Sequence, residues 1–197
     1  SEDDSELEPT PKPAYSKNTV GYLTVPGVDV TDEPILQHPT DDDYYLTHNE
    51  FDKESIWGAY FVPSEWNVSN VDDMYRVTVI FGHSNGNSMH KKFSVLKYFR
   101  DVNFAKEHRY IYLTLGEQQT RWKIFAVADY PIDPSYTIAN PDDSYFLTEI
   151  ASMKAYSYNQ YATEVGLNDK VLILSTCSGS DNYDTRFIVC AKLDQVF

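Results

Sequence analysis

The chain has 197 residues, 42% of them apolar and 15% aromatic, which is enough for one well-buried domain and cramped for two. Thirty acidic against sixteen basic side chains give a formal charge of -14, a field that repels phosphate backbones and anionic lipid heads and so argues against nucleic acid as a partner. No apolar run approaches the ~18 residues of a membrane span, no secretory leader is visible, and two Cys are too few for a disulfide framework and suit no zinc site.

Residues 1–14 are acidic, then Pro-rich, with Leu7 as the one large apolar residue before Tyr15. They read as a flexible linker, with a single domain over 15–197. Strand signals follow: Val20 to Val25, closed by the Pro26-Gly27 turn; Pro34 to Gln37; then, with β-branched and aromatic enrichment, Trp57 to Val62 and Arg76 to Phe81. Phe93 to Phe104 reads as a short amphipathic helix. Tyr110 to Leu115 and Thr120 to Ala128 read as a strand pair joined around Gly116. Pro141 to Val165 is predicted as a long helix, with Asn140 as N-cap, Pro141 in the first position and Gly166 as the stop. Val171 to Ser175 is continuously apolar, as a strand buried on both faces would be. Arg186 to Leu193 is the last strand. About eight strands and one late helix predict a mainly β chain, an eight-stranded barrel with helical insertions.

Two strand ends carry chemistry. Cys177 leaves the buried strand VLILS and enters the small polar loop Ser178 to Asn182. His83 leaves the strand VTVIF between Gly82 and Ser84. The other histidines, His38, His48, His90 and His108, lie in polar or loop-like segments and read as surface side chains. If the last two strands pair as antiparallel neighbours, Arg186 faces Cys177 across the loop mouth. Cys190 then sits four residues down the ladder, roughly 13 Å away, too far for a disulfide with Cys177. A thiol needs a base or cation to become the attacking thiolate. An imidazole can give and take the proton of an amine. Arginine stays charged and can hold a carbonyl or a developing oxyanion.

The segment LSTCSGSDNYDTR (174–186) resembles the sortase signature, in which Leu-x-Thr-Cys on one strand precedes an Arg on the next. VIFGHSNGNSM (79–89) supplies the matching histidine segment. NTVGYLTVPGVDVTDEPIL (18–36) and DDDYYLTHNEFDKESIWGAYF (41–61) resemble the stretches that open the family's domain. The predicted helix before the Cys-bearing strand, and MHKKFSVLKYFRDVNFAKEH (89–108), are similar to class B. The chain departs from that class in three places: no helical pattern precedes the first strand, Ser178 stands where some members have an acidic residue, and Asp42 stands where Asn is frequent.

The resemblance implies a sortase-type barrel and a cysteine transpeptidase, with Cys177 as nucleophile, His83 as proton-transfer partner and Arg186 as oxyanion or substrate clamp. Ser175 and Thr176 would line the substrate groove. It implies a C-terminal sorting motif of secreted proteins cut after Thr, a thioacyl-enzyme, and an amine acceptor on a cell-wall precursor or a pilin Lys. No metal or other cofactor is implied. The enzyme would work on the outer face of a Gram-positive membrane, through an anchor upstream of Ser1. Two other classes compete: a Cys-His hydrolase that passes the acyl group to water, and a non-catalytic surface-binding barrel.

Overall fold

A computed structural model describes residues 13–84, 91–132, 134–176 and 184–197. Its strands are β1 (Thr19–Val25), β2 (Val30–Leu36), β3 (Tyr60–Phe61), β4 (Val77–Gly82), β5 (Tyr110–Leu115), β6 (Gln118–Pro131), β7 (Val171–Thr176) and β8 (Thr185–Val196). They close in the order β1-β2-β3-β4-β7-β8-β6-β5, with β5 returning to β1. The expected eight-stranded barrel is therefore the fold. Most pairs are antiparallel, but β2 runs parallel to β3 and β4 parallel to β7.

Two hydrophobic clusters explain why β7 is apolar from Val171 to Leu174. Leu172 and Leu174 face the main cluster inside the barrel, with Leu23, Trp122, Ile80 and Phe187. Val171 and Ile173 face a second cluster, under the helix α3 (Asp143–Tyr156), with Phe146, Ile150 and Met153. Strand alternation sends successive side chains to opposite faces, so a strand covered on both sides needs no polar residue. Each fully buried large side chain contributes about 1.5–3 kcal/mol.

Several predicted boundaries move, each for a local reason. The late helix is shorter at both ends than the predicted 141–165. Asp142, and not Asn140, is its cap, accepting a hydrogen bond from the Tyr145 amide at 2.8 Å. It stops at Tyr156 because the following residues bond to β6 instead. The Tyr158 amide donates to the Val127 carbonyl at 2.8 Å, the Ser157 hydroxyl accepts from the Val127 amide at 3.0 Å, and the Thr163 hydroxyl donates to the Ile124 carbonyl at 3.0 Å. Leu147 is exposed on the helix, and Phe146, Ile150 and Met153 fill the buried face.

The helix expected over Phe93 to Phe104 is two pieces, a 3-10 segment Lys92–Arg100 and α2 (Val102–Glu107). Asp101 breaks it: its backbone is extended, and its carboxylate caps α2 at the Phe104 amide, 2.8 Å away. The strand expected over Trp57 to Val62 shrinks to β3. Gly58 takes φ 58, and the Ala59 amide bonds to the Tyr45 carbonyl of α1 (Tyr44–Thr47), a helical turn not anticipated from sequence. Among the described residues no helix is long and apolar enough to cross a membrane.

Candidate functional site

The parallel β4–β7 pairing places the site. Its register runs without a break from Val77↔Val171 to Gly82↔Thr176, so both strands end side by side. His83 is the residue after Gly82. Thr176 is the last described residue of β7; Cys177, expected as the nucleophile, lies outside the described residues.

His83 is half-buried. Its carbonyl accepts from the Phe93 amide at 2.9 Å, and its ring is hydrogen-bonded to the Leu46 carbonyl. Burial pushes the imidazole below its ordinary pKa, the Leu46 carbonyl opposes this, and the nearby Lys92 ammonium adds to the lowering. Lys92 is held in place with its Nζ 3.6 Å from the Glu50 carboxylate and 5.0 Å from the centre of the Tyr60 ring. Gly82 has a packing role: a Cβ there would stand 2.7 Å from the Phe93 ring and 2.8 Å from the Tyr60 ring. Only a residue without a side chain lets β4 end where it does.

Arg186 lies in β8, opposite Tyr130 of β6, and is partly exposed. Its Nη1 donates to the Thr185 carbonyl at 3.2 Å. The β7–β8 register, Ile173↔Cys190 through Ser175↔Ile188, is the one expected from sequence; the next expected opposition, Cys177 with Arg186, lies outside the described residues. Cys190 is free and fully buried, and burial pushes its thiol pKa well up, so it is a poor source of thiolate.

A cleft of about 240 Å³ opens at these strand ends. Leu46, Phe61, Pro63 and Phe81 give it an apolar side, while Asp42, Asp43, Tyr136, Thr176 and Arg186 give it polar groups. Leu46 therefore both lines the cleft and holds His83. Thr176 lies in the wall, its hydroxyl fixed by the Phe187 amide at 3.0 Å. Ser175 does not line the cleft: it is fully buried, and its hydroxyl is 3.1 Å from the Tyr136 hydroxyl. Such a cleft can take an extended peptide with one apolar side chain, offer guanidinium donors to a carbonyl, and present carboxylates to donors.

Sequence reasoning missed Leu46, Tyr136 and the packing of Gly82. α1 is only four residues long and carries no periodicity, and Tyr136 sits in a segment without strand or helix signals. The one available hint was the run of aspartates before Tyr44, two of which line the cleft. Among the described residues no group of three His, Cys, Asp or Glu side chains is placed to hold a metal ion.

No protein-family model and no curated protein matches the chain. Solved structures do. A sortase B of S. aureus is 22% identical, covers 93% of this chain and 76% of its own, and superposes with a TM-score of 0.80, which shows a shared fold. Sortase B from Listeria monocytogenes is 27% identical with a TM-score of 0.77, over 90% of this chain and 95% of its own. The chain has the class B sortase fold. Sortase B of B. anthracis, 25% identical over 90% of this chain and 79% of its own, with a TM-score of 0.74, has the same architecture. That likeness supports a cysteine transpeptidase, and the β4–β7 end of the barrel is the candidate active site.

Proposed function

We propose that this sortase cuts a C-terminal sorting motif of secreted proteins after Thr and transfers the acyl group to an amine. Cys177 is the nucleophile, His83 the proton carrier and Arg186 the oxyanion donor. The observation that carries the reading is the shared end of β4 and β7. His83 follows Gly82, Cys177 follows Thr176 in the chain, and Arg186 lines the same cleft as Thr176. One sortase B structure has been solved in complex with triglycine, and another, from Staphylococcus aureus, with a substrate. A peptide donor and an amine acceptor are the two partners the reaction needs.

The Cys177 thiolate attacks the Thr carbonyl, and the electron pair moves to its oxygen, which the Arg186 fork stabilises. Collapse of that intermediate breaks the peptide bond, and His83 supplies the proton to the departing amine. The acceptor amine then attacks the thioester, loses its proton to His83 and releases the thiolate. The acceptor is a cell-wall precursor or a pilin Lys, and the enzyme acts on the outer face of the membrane on an N-terminal anchor.

The test is partitioning. Peptide libraries carrying Thr are incubated with the enzyme at rising triglycine, and products are read by mass spectrometry. A transpeptidase gives peptide–triglycine conjugates at the expense of free acid as the amine rises. A constant yield of free acid, with no conjugate, would make the protein a hydrolase.

A further inference from the structure

A second pocket, of about 440 Å³, lies on the outer face of β1, β5 and β6 and shares no lining residue with the cleft. Ile111, Leu113 and Leu115 turn into the barrel, so Tyr112 and Thr114 turn out. The register then sets Thr24 beside Tyr112 and Thr114 beside Gln119. Asp32 closes one side in a left-handed conformation, φ 47, with its amide held by the Thr24 hydroxyl at 2.9 Å. Phe197 closes another, its amide bonded to the Gln119 carbonyl at 2.9 Å. The pocket thus has two aromatic walls, with hydroxyls, one amide and one carboxylate between them.

We propose that this pocket binds a neutral carbohydrate, its pyranose rings against Tyr112 and Phe197 and its hydroxyls on Asp32, Gln119 and Thr114. Three features select that class. First, the lining contains no cation. Arg121, the nearest in the ladder, is turned to Asp194 at 2.7 Å and Gln195 at 3.1 Å and stacked on Tyr110 and Phe197. A chain of charge -14 adds no attraction for anions.

Second, a wholly apolar ligand would strip water from Asp32 and Gln119 without replacing it. A sugar offers hydroxyls that donate to the carboxylate and pair with the amide, while its C–H face meets the negative face of an aromatic ring. Third, a peptide strand has no edge to join. β1 is paired with β2 and β5, and β6 with β5 and β8. The inference does not depend on the transpeptidase reading.

The test is a titration of the isotope-labelled protein with chitotriose and, separately, maltotriose, followed by amide chemical shifts. Shifts induced by at least one sugar, confined to the residues that line the pocket, Tyr112, Gln119 and Phe197 among them, are expected. Tyr112→Ala should weaken binding by at least about fivefold and Tyr112→Phe should retain it. Gln119→Leu, at an exposed position that leaves the fold alone, should also weaken it. No shifts with either sugar up to about 20 mM, shifts elsewhere, or unchanged affinity in Tyr112→Ala and Gln119→Leu would each overturn the proposal.

Discussion

His83 illustrates how position sets chemistry. Its imidazole is pulled away from water at the end of β4, and burial holds it neutral to lower pH than a free histidine. Above the ordinary imidazole value, about 6.5, both folded and unfolded chains carry it neutral. As pH falls through that value the unfolded chain takes the proton first, so stability is lost from there down to the depressed folded value. A His83→Gln variant should therefore lose less stability than wild type between about pH 7 and pH 5, read from urea midpoints. In the same region Lys92→Met removes one lowering influence, so the acid limb of the turnover profile should move to higher pH, whereas an unmoved limb would show that Lys92 does not reach His83 electrostatically. Arg186 separates charge from geometry. Arg186→Ala should lower turnover by about 10²–10³-fold with peptide affinity little changed, and Arg186→Lys should restore only part, lacking the planar fork. Wild-type turnover with weakened peptide binding in Arg186→Ala would make it a substrate clamp.

At the scale of elements, two substitutions distinguish a support from an end cap. Gly82→Ala pushes a methyl into the Phe93 and Tyr60 rings at the strand end that carries His83. Overpacking of this kind costs about 1–3 kcal/mol, and the strain falls on the site. Asp142→Ala removes the cap of α3, costing about 1 kcal/mol, on an element whose buried face packs in the second cluster and whose residues lie outside the cleft lining. Turnover measured beside thermal unfolding should fall steeply in Gly82→Ala and little in Asp142→Ala, even where their unfolding temperatures drop alike. Equal turnover in both would remove Gly82 from the account of the site.

The same elements show what was legible. Tyr110–Leu115 was read to the residue, because alternation with Ile111, Leu113 and Leu115 inward is a local property. Val171–Thr176 was legible because no solvated face interrupts it. The end of α3 was not, since it is set by carbonyls and amides of β6 some thirty residues away in the chain. β3 was overextended because Ala59, just before it, bonds to the Tyr45 carbonyl, in a turn too short to signal itself.

The whole molecule is a closed barrel whose function rests on one pairing that no local pattern announces, β4 beside β7 in parallel. The sequence motifs around His83 and Arg186 marked candidates, and the barrel brings Arg186 and Thr176 to one cleft and ends β4 beside β7. They could not show Leu46 behind the imidazole, or Ser175 sealed under Tyr136, since both depend on which loops cross the strand ends. The central claim, that Cys177 forms the thioacyl-enzyme, is open to one measurement. Wild type, Cys177→Ala and Cys190→Ala are mixed briefly with the Thr-containing peptides, quenched in acid, and the acyl adduct is located by intact mass and peptide mapping. An adduct on Cys177 in wild type and Cys190→Ala, discharged by triglycine and missing from Cys177→Ala, is the expected result; an adduct that persists in Cys177→Ala, or maps to Cys190, would contradict the account.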